Sequence, residues 1–152
     1  MIFSLDEILV FSFRAMGYQG SMDFMENLIL KGIIEAISSM EVSLSLEEKI
    51  RDSLVYYLKT QNTKIKQFTT EKFLFLDSER RQDISETEKS KTDISFSMSG
   101  FEFVLECKIL KFADKKYIEE GLRRFIELKY AEKDDFAGML GFIVAGNPEK
   151  IV

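Results

Sequence analysis

Asp93, Glu106 and Lys108 are the residues of this chain whose types and spacing can do chemistry. Asp93–Met98 alternates polar and apolar residues, and so does Phe101–Leu110. A period of two puts each set on one face of a strand. Ser99-Gly100 between them reads as a two-residue turn. Met98 then faces Phe101, Phe96 faces Phe103 and Ile94 faces Leu105, so the apolar faces match. On that register Asp93 lies opposite Glu106, with Cβ atoms about 5 Å apart. A shift by one residue would set polar side chains against apolar ones. Two facing carboxylates repel, and a cation relieves the repulsion. Magnesium suits such oxygen ligands and keeps several waters. One of those waters can attack a phosphodiester, with Lys108 placed to position it, deprotonate it or stabilise charge on the phosphate. The same three residues can instead form a solvated salt-bridge face of little energetic value. Spacing alone leaves both readings open.

Composition removes most other chemistries. The 152 residues include no His and a single Cys, Cys107. Serine triads, thiol proteases with a His base and His-ligated zinc are therefore excluded, as are an intramolecular disulfide and a cysteine zinc site. Cys107 reads as a packing residue. Hydrophobic residues make up 45% and charged residues 31%, which suits one compact domain with an ordinary core. The net charge of −5 sits awkwardly with a polyanionic partner. The 21 Lys and Arg nevertheless supply material for a local basic patch. The first residues carry Asp6 and Glu7 and no basic lead-in, unlike a signal peptide. No stretch approaches the roughly 20 apolar residues of a membrane span. A cytoplasmic protein with no membrane partner is expected.

Several elements must position the hairpin. Ser4–Met16 is predicted as a short helix, with Ser4 and Glu7 at capping-box spacing. A second helix is predicted over Met22–Ser39, where Met25, Leu28, Ile29, Gly32, Ile33, Ala36, Ile37 and Met40 make a broad apolar stripe. A third spans Ser43–Thr60, with Leu46, Ile50, Leu54, Tyr57 and Leu58 on one side and Ser45 with Glu48 as its capping box. Lys72–Leu76 reads as a strand. Asp77–Lys91, dense in charge, reads as an exposed loop or polar helical turn. Residues 114–132 are predicted as a helix, and the uncharged Phe136–Ala145 as a buried strand.

The stretches Thr92-Asp93-Ile94-Ser95-Phe96 and Phe103-Val104-Leu105-Glu106-Cys107-Lys108 resemble the core motif of the PD-(D/E)XK nuclease superfamily. There an Asp begins one strand, and an apolar strand across a hairpin ends in Glu-x-Lys. Thr92 stands where the motif's name has Pro. The resemblance spans roughly Leu44 to Gly146. Tyr117-Ile118-Glu119-Glu120-Gly121-Leu122-Arg123-Arg124-Phe125 and the strand after it are similar to the family's second helix and last strand. The resemblance implies a restriction-endonuclease-like α/β core of helix, three strands, helix and strand, with a mixed sheet flanked by helices. It implies that Asp93 and Glu106 ligate Mg2+ or Mn2+, that Lys108 is catalytic, and that the first core helix supplies a further acid. Glu47, which flanks the apolar stripe, suits that place better than Glu48.

The expectation is therefore a metal-dependent nuclease acting on nucleic acid, most readily DNA. Residues 43–152 form the nuclease-like core, and residues 1–42 form a helical extension whose apolar faces suit a homodimer. Arg80, Arg81, Lys89, Lys91, Arg123 and Arg124 are candidate phosphate contacts. The alternative is a catalytically inactive module of the same fold, acting in nucleic-acid binding or protein assembly.

Overall fold

A computed structural model describes Ile2, residues 4–40, 46–83 and 89–110, Glu119, Arg123 and residues 136–143. Helix α1 (Leu5–Ala15) opens on the predicted capping box. The Glu7 backbone N–H donates to Ser4 Oγ at 3.2 Å, and the Ser4 N–H donates to the Glu7 carboxylate at 2.8 Å. The helix stops at Gly17, whose φ of +95° lies in the left-handed region open to glycine.

The predicted second helix forms, in three joined parts. These are α2 (Ser21–Phe24), a π-helical segment (Met25–Leu30) and α3 (Lys31–Ser39). The wider π turn shifts the phase of the stripe. Leu28, Ile29, Ile33 and Ala36 are buried as expected, but Ile37 is turned outward, together with Leu30 and Ile34.

Helix α4 (Glu47–Thr60) begins after Leu46, which supplies no side-chain cap and is itself exposed. The predicted cap residue Ser45 lies outside the described residues. Ile50, Leu54 and Leu58 form the buried stripe, and Arg51 is buried among them. A helix that the sequence did not suggest follows, α5 (Thr63–Thr70). Asn62 caps it by accepting the Ile65 N–H at 3.0 Å, and Ile65 and Phe68 anchor it in the core.

Four strands make one sheet in the order β1-β2-β3-β4: β1 (Phe75–Asp83), β2 (Lys89–Met98), β3 (Phe101–Leu110) and β4 (Phe136–Ile143). Three expectations fail here. β4, predicted as a buried strand, is an edge strand in which Phe142 alone is buried among the described side chains. The strand predicted from Lys72 starts at Phe75, because the Phe68 carbonyl takes the Phe73 and Leu74 N–H groups. The charged stretch predicted as a loop over Asp77–Lys91 is largely an antiparallel ladder, running from Phe75↔Ser97 to Asp83↔Lys89. Residues 84–88 lie outside the described residues. β1 carries the charge because it is an edge strand, where polar side chains are tolerated on both faces.

The β2–β3 hairpin has the predicted register, from Met98↔Phe101 to Ile94↔Leu105. Gly100 closes its turn at φ +80°. β4 runs parallel to β3, so the sheet is mixed, and residues 111–135 are the connection between the two strands. Glu119 and Arg123, on that connection, are both helical and exposed. The rest of the helix predicted over 114–132 lies outside the described residues.

Helix α4 packs on β1, β2 and β3. The N-terminal helices share the same buried cluster as the sheet. Phe13 of α1 and Phe24 of α2 meet the ring of Phe101 edge-on, at centroid distances of 5.4 and 5.6 Å. Among the described residues no helix is long and apolar enough to cross a membrane.

Candidate active site

The sheet forks beside the Asp93–Glu106 position. β2 and β3 pair only as far as Ile94↔Leu105 among the described residues. Beyond that point β2 continues alongside β1 to Lys89, and β3 continues alongside β4 to Leu110. Asp93 and Glu106 are the next residues on the hairpin register, at the mouth of the fork.

The edge of β3 that faces the fork would carry unsatisfied N–H groups, which are costly when shielded from water. Two carboxylates take them. The Cys107 N–H donates to Asp93 Oδ2 at 2.7 Å, and the Ile109 N–H donates to Glu47 Oε2 at 3.2 Å. These donors are two residues apart on one strand, so the Asp93 and Glu47 carboxylates sit side by side along that edge. Glu47 reaches it from the first turn of α4, and Glu48 is exposed.

Glu106 is half-buried and Lys108 is exposed, two residues apart and so on one face of β3. Lys108 makes no ion pair among the described residues, whereas a purely structural cluster would fold it back onto a carboxylate. Arg123 is helical and exposed. Arg124 and the side chains of Arg80, Arg81, Lys89 and Lys91 lie outside the described residues. Their strands do place Arg80 and Arg81 opposite Thr92 and Lys91.

Two members of the site were not foreseen. Arg51, one helical turn after Glu47, is only 6% exposed. Its guanidinium lies 3.1 Å from Asp52, 3.0 Å from Glu79 and 3.6 Å from Asp93 Oδ1. Burial works against that charge, but Asp52, Glu79 and Asp93 outweigh it and raise the pKa of Arg51. Glu79 stands opposite Asp93 on the β1–β2 register and has φ +60°, so the ladder skips from Ser78↔Ile94 to Arg80↔Thr92. The signal for Arg51 was present: a charged residue at the spacing of the buried α4 stripe needs a partner.

Cys107 is buried at 2% exposure. Burial, then the nearby Asp93 charge, pushes its thiol well above the usual value of 9.0. It packs in the hydrophobic core. Because the folded pKa exceeds the unfolded one, the unfolded chain alone releases this proton as the pH passes about 9. Stability is intact below that pH and falls above it, with a limiting slope of about 1.4 kcal/mol per pH unit. Urea unfolding of wild type between pH 8 and pH 10 should lose about 1 kcal/mol more than the same comparison in Cys107→Ala. Equal losses in the two proteins would remove Cys107 from the explanation.

Among the described residues no group of three or more Asp, Glu or Cys side chains lies close enough to cage a metal ion. Mg2+ does not ask for a cage. It binds through one or two carboxylates, and waters and substrate phosphates complete its shell. The donors on this edge of β3, Glu47 and Asp93, are all oxygen, which suits that cation and not the softer metals. No protein-family model and no curated protein matches the chain.

Proposed function

We propose that this chain is a metal-dependent nuclease built on a restriction-endonuclease-like core, acting on DNA in the cytoplasm. One observation carries the reading: two carboxylates from different elements, Asp93 and Glu47, are seated side by side at the fork that also bears Glu106 and the exposed Lys108. The order α4, three antiparallel strands, a helical stretch and a parallel β4 also supports it.

In this reading Asp93, with Glu47 or Glu106, would hold Mg2+ or Mn2+, which would supply an activated water and neutralise phosphate charge. The backbone N–H groups of Cys107 and Ile109 hold two of these carboxylates in place. Lys108 reaches the phosphate or the water from the open face. The helical, exposed Arg123, together with Arg124 and with Arg80 and Arg81 of β1, contacts the nucleic-acid backbone. The test is incubation with supercoiled, linear and single-stranded DNA and with RNA, in Mg2+, Mn2+ or EDTA. Cleavage in either cation that EDTA abolishes is expected. Cleavage of equal strength in EDTA contradicts the reading.

A second reading is favoured by one contact. Arg51 lies 3.6 Å from Asp93 and already supplies positive charge there. A catalytically inactive module that binds nucleic acid or assembles with other proteins would keep that ion pair and need no metal.

We also propose a homodimer through the outer face of α3 and the end of the π-helical segment before it. Leu30, Ile34 and Ile37 follow helical spacing and are 37%, 65% and 40% exposed. A two-fold axis would let this stripe pack on its own copy and would suit cutting both strands of a duplex. In sedimentation velocity, wild type is expected as a dimer and Ile34→Glu as a monomer. A monomeric wild type at micromolar concentration would remove the dimer.

A further inference from the structure

Arg51 is a full positive charge built into an acidic site, and its surroundings fix what it does there. Three carboxylates surround one guanidinium: Asp52 at 3.1 Å, Glu79 at 3.0 Å and Asp93 at 3.6 Å. The first two are hydrogen-bonded to it. The Asp93 contact is longer and is electrostatic only. Asp93 does not depend on Arg51 for its position, because its other oxygen accepts the Cys107 N–H at 2.7 Å. Nor do Asp52 and Glu79 depend on Arg51 for solvation, since their side chains are 60% and 40% exposed. The side chain that needs its partners is Arg51 itself, at 7% exposure.

Glu79 is brought into this arrangement by backbone strain. A φ of +60° is unusual for any residue other than glycine and rare inside a strand. It takes Glu79 out of the β1–β2 ladder at the position opposite Asp93. Strained residues of this kind concentrate at working sites.

We propose that Arg51 is the resident counter-ion of the acidic site. A divalent cation at Asp93 binds against it and shifts the guanidinium charge onto Glu79 and Asp52. The proposal rests on the metal-site reading above and adds how that site is regulated: Arg51 keeps cation affinity low. Two opposing effects of Arg51 on a cation can be weighed. It orients Asp93, which the Cys107 N–H already does. It also repels a second positive charge at Asp93, 3.6 Å away, a repulsion that the Asp52 and Glu79 ion pairs reduce but do not remove. Repulsion therefore wins. Even at the high effective dielectric of a half-open site, it amounts to roughly tenfold or more in affinity for a doubly charged ion.

The experiment is calorimetric titration of Mn2+ into wild type, Arg51→Met and Arg51→Lys, with no nucleic acid present. Arg51→Met is expected to bind Mn2+ at least roughly tenfold more tightly than wild type. Arg51→Lys, which keeps the charge, is expected to stay near wild type. Equal or weaker binding by Arg51→Met overturns the counter-ion role and leaves the metal site standing. No binding by folded wild type or folded Arg51→Met overturns both. A measurement on wild type covers the case in which Arg51→Met does not fold. The side-chain 15N resonances of Arg51 should move as Mg2+ is added, while those of the exposed Arg14 stay in place. Arg51 resonances unmoved at Mg2+ saturation would overturn the proposal.

Discussion

Lys108→Ala is expected to abolish cleavage while leaving divalent-cation binding intact, and Asp93→Ala is expected to lose both. The difference follows from where the two side chains lie. Lys108 is exposed on β3 and holds up no other part of the fold among the described residues. Its removal takes away only a group that meets the water or the phosphate. Losses of roughly 10²–10⁴-fold accompany the removal of such a group. Thermal stability should stay within about 0.5 kcal/mol of wild type, as for surface substitutions in general. Asp93 has a double role. Its carboxylate is a metal ligand in the proposed site and also the acceptor for the Cys107 N–H. Asp93→Ala therefore leaves that donor without its partner, at a cost of about 1–3 kcal/mol. The variant should be measurably less stable as well as inactive. Calorimetric Mn2+ titration and urea unfolding, run beside a cleavage assay, separate the two roles. If Lys108→Ala lost cation binding together with cleavage, Lys108 would be supporting the site and not acting in it.

Phe24→Ala is expected to be the most destabilising single substitution among those considered, at about 3–5 kcal/mol. The ring is fully buried. It packs at 5.1 Å from Phe13, 5.3 Å from Tyr18 and 5.6 Å from Phe101. Truncation removes a large apolar area and leaves a cavity that three rigid aromatic neighbours cannot fill by small movements. A loss of that size is a large share of the 5–15 kcal/mol that typically holds a domain together. The consequence reaches the site through Phe101, which starts β3, the strand that ends in Glu106 and Lys108. The helices before residue 43 thus form part of the core under the hairpin. Urea unfolding followed by circular dichroism measures the effect. A loss below about 1 kcal/mol would mean that these helices are only loosely attached to the sheet.

The hairpin was legible because two kinds of signal agreed. Alternation in Asp93–Met98 and Phe101–Leu110 set the faces, and Ser99-Gly100 set the register; Ile94↔Leu105 and Phe96↔Phe103 pair as read. The Ser4–Glu7 cap was legible for a similar reason, since its residues and spacing are local. Helix α5 was not. It is short, it buries only Ile65 and Phe68, and its Thr-rich run lacks the stripe that marks a longer amphipathic helix. The β1–β2 ladder was hidden because β1 is an edge strand, where a charged run is tolerated and no alternation need mark it. Missing that ladder also hid Glu79, whose place opposite Asp93 exists only once β1 is paired. The fork could not be read from pairing rules that assume a continuous ladder. They place Asp93 opposite Glu106, but the Asp93 side chain reaches one residue further, to the Cys107 backbone. The resemblance suggested an acid from the first core helix, and the Ile109 N–H shows where Glu47 attaches.

Metal-dependent cleavage by wild type, assayed beside Asp93→Ala and Lys108→Ala on the same nucleic-acid substrates, tests the central claim most directly. The expected result is cleavage by wild type in Mg2+ or Mn2+ that is lost in both variants. Cleavage by wild type that persists in both would contradict the assignment of the fork, and with it the reading of Asp93, Glu106 and Lys108 as the active site.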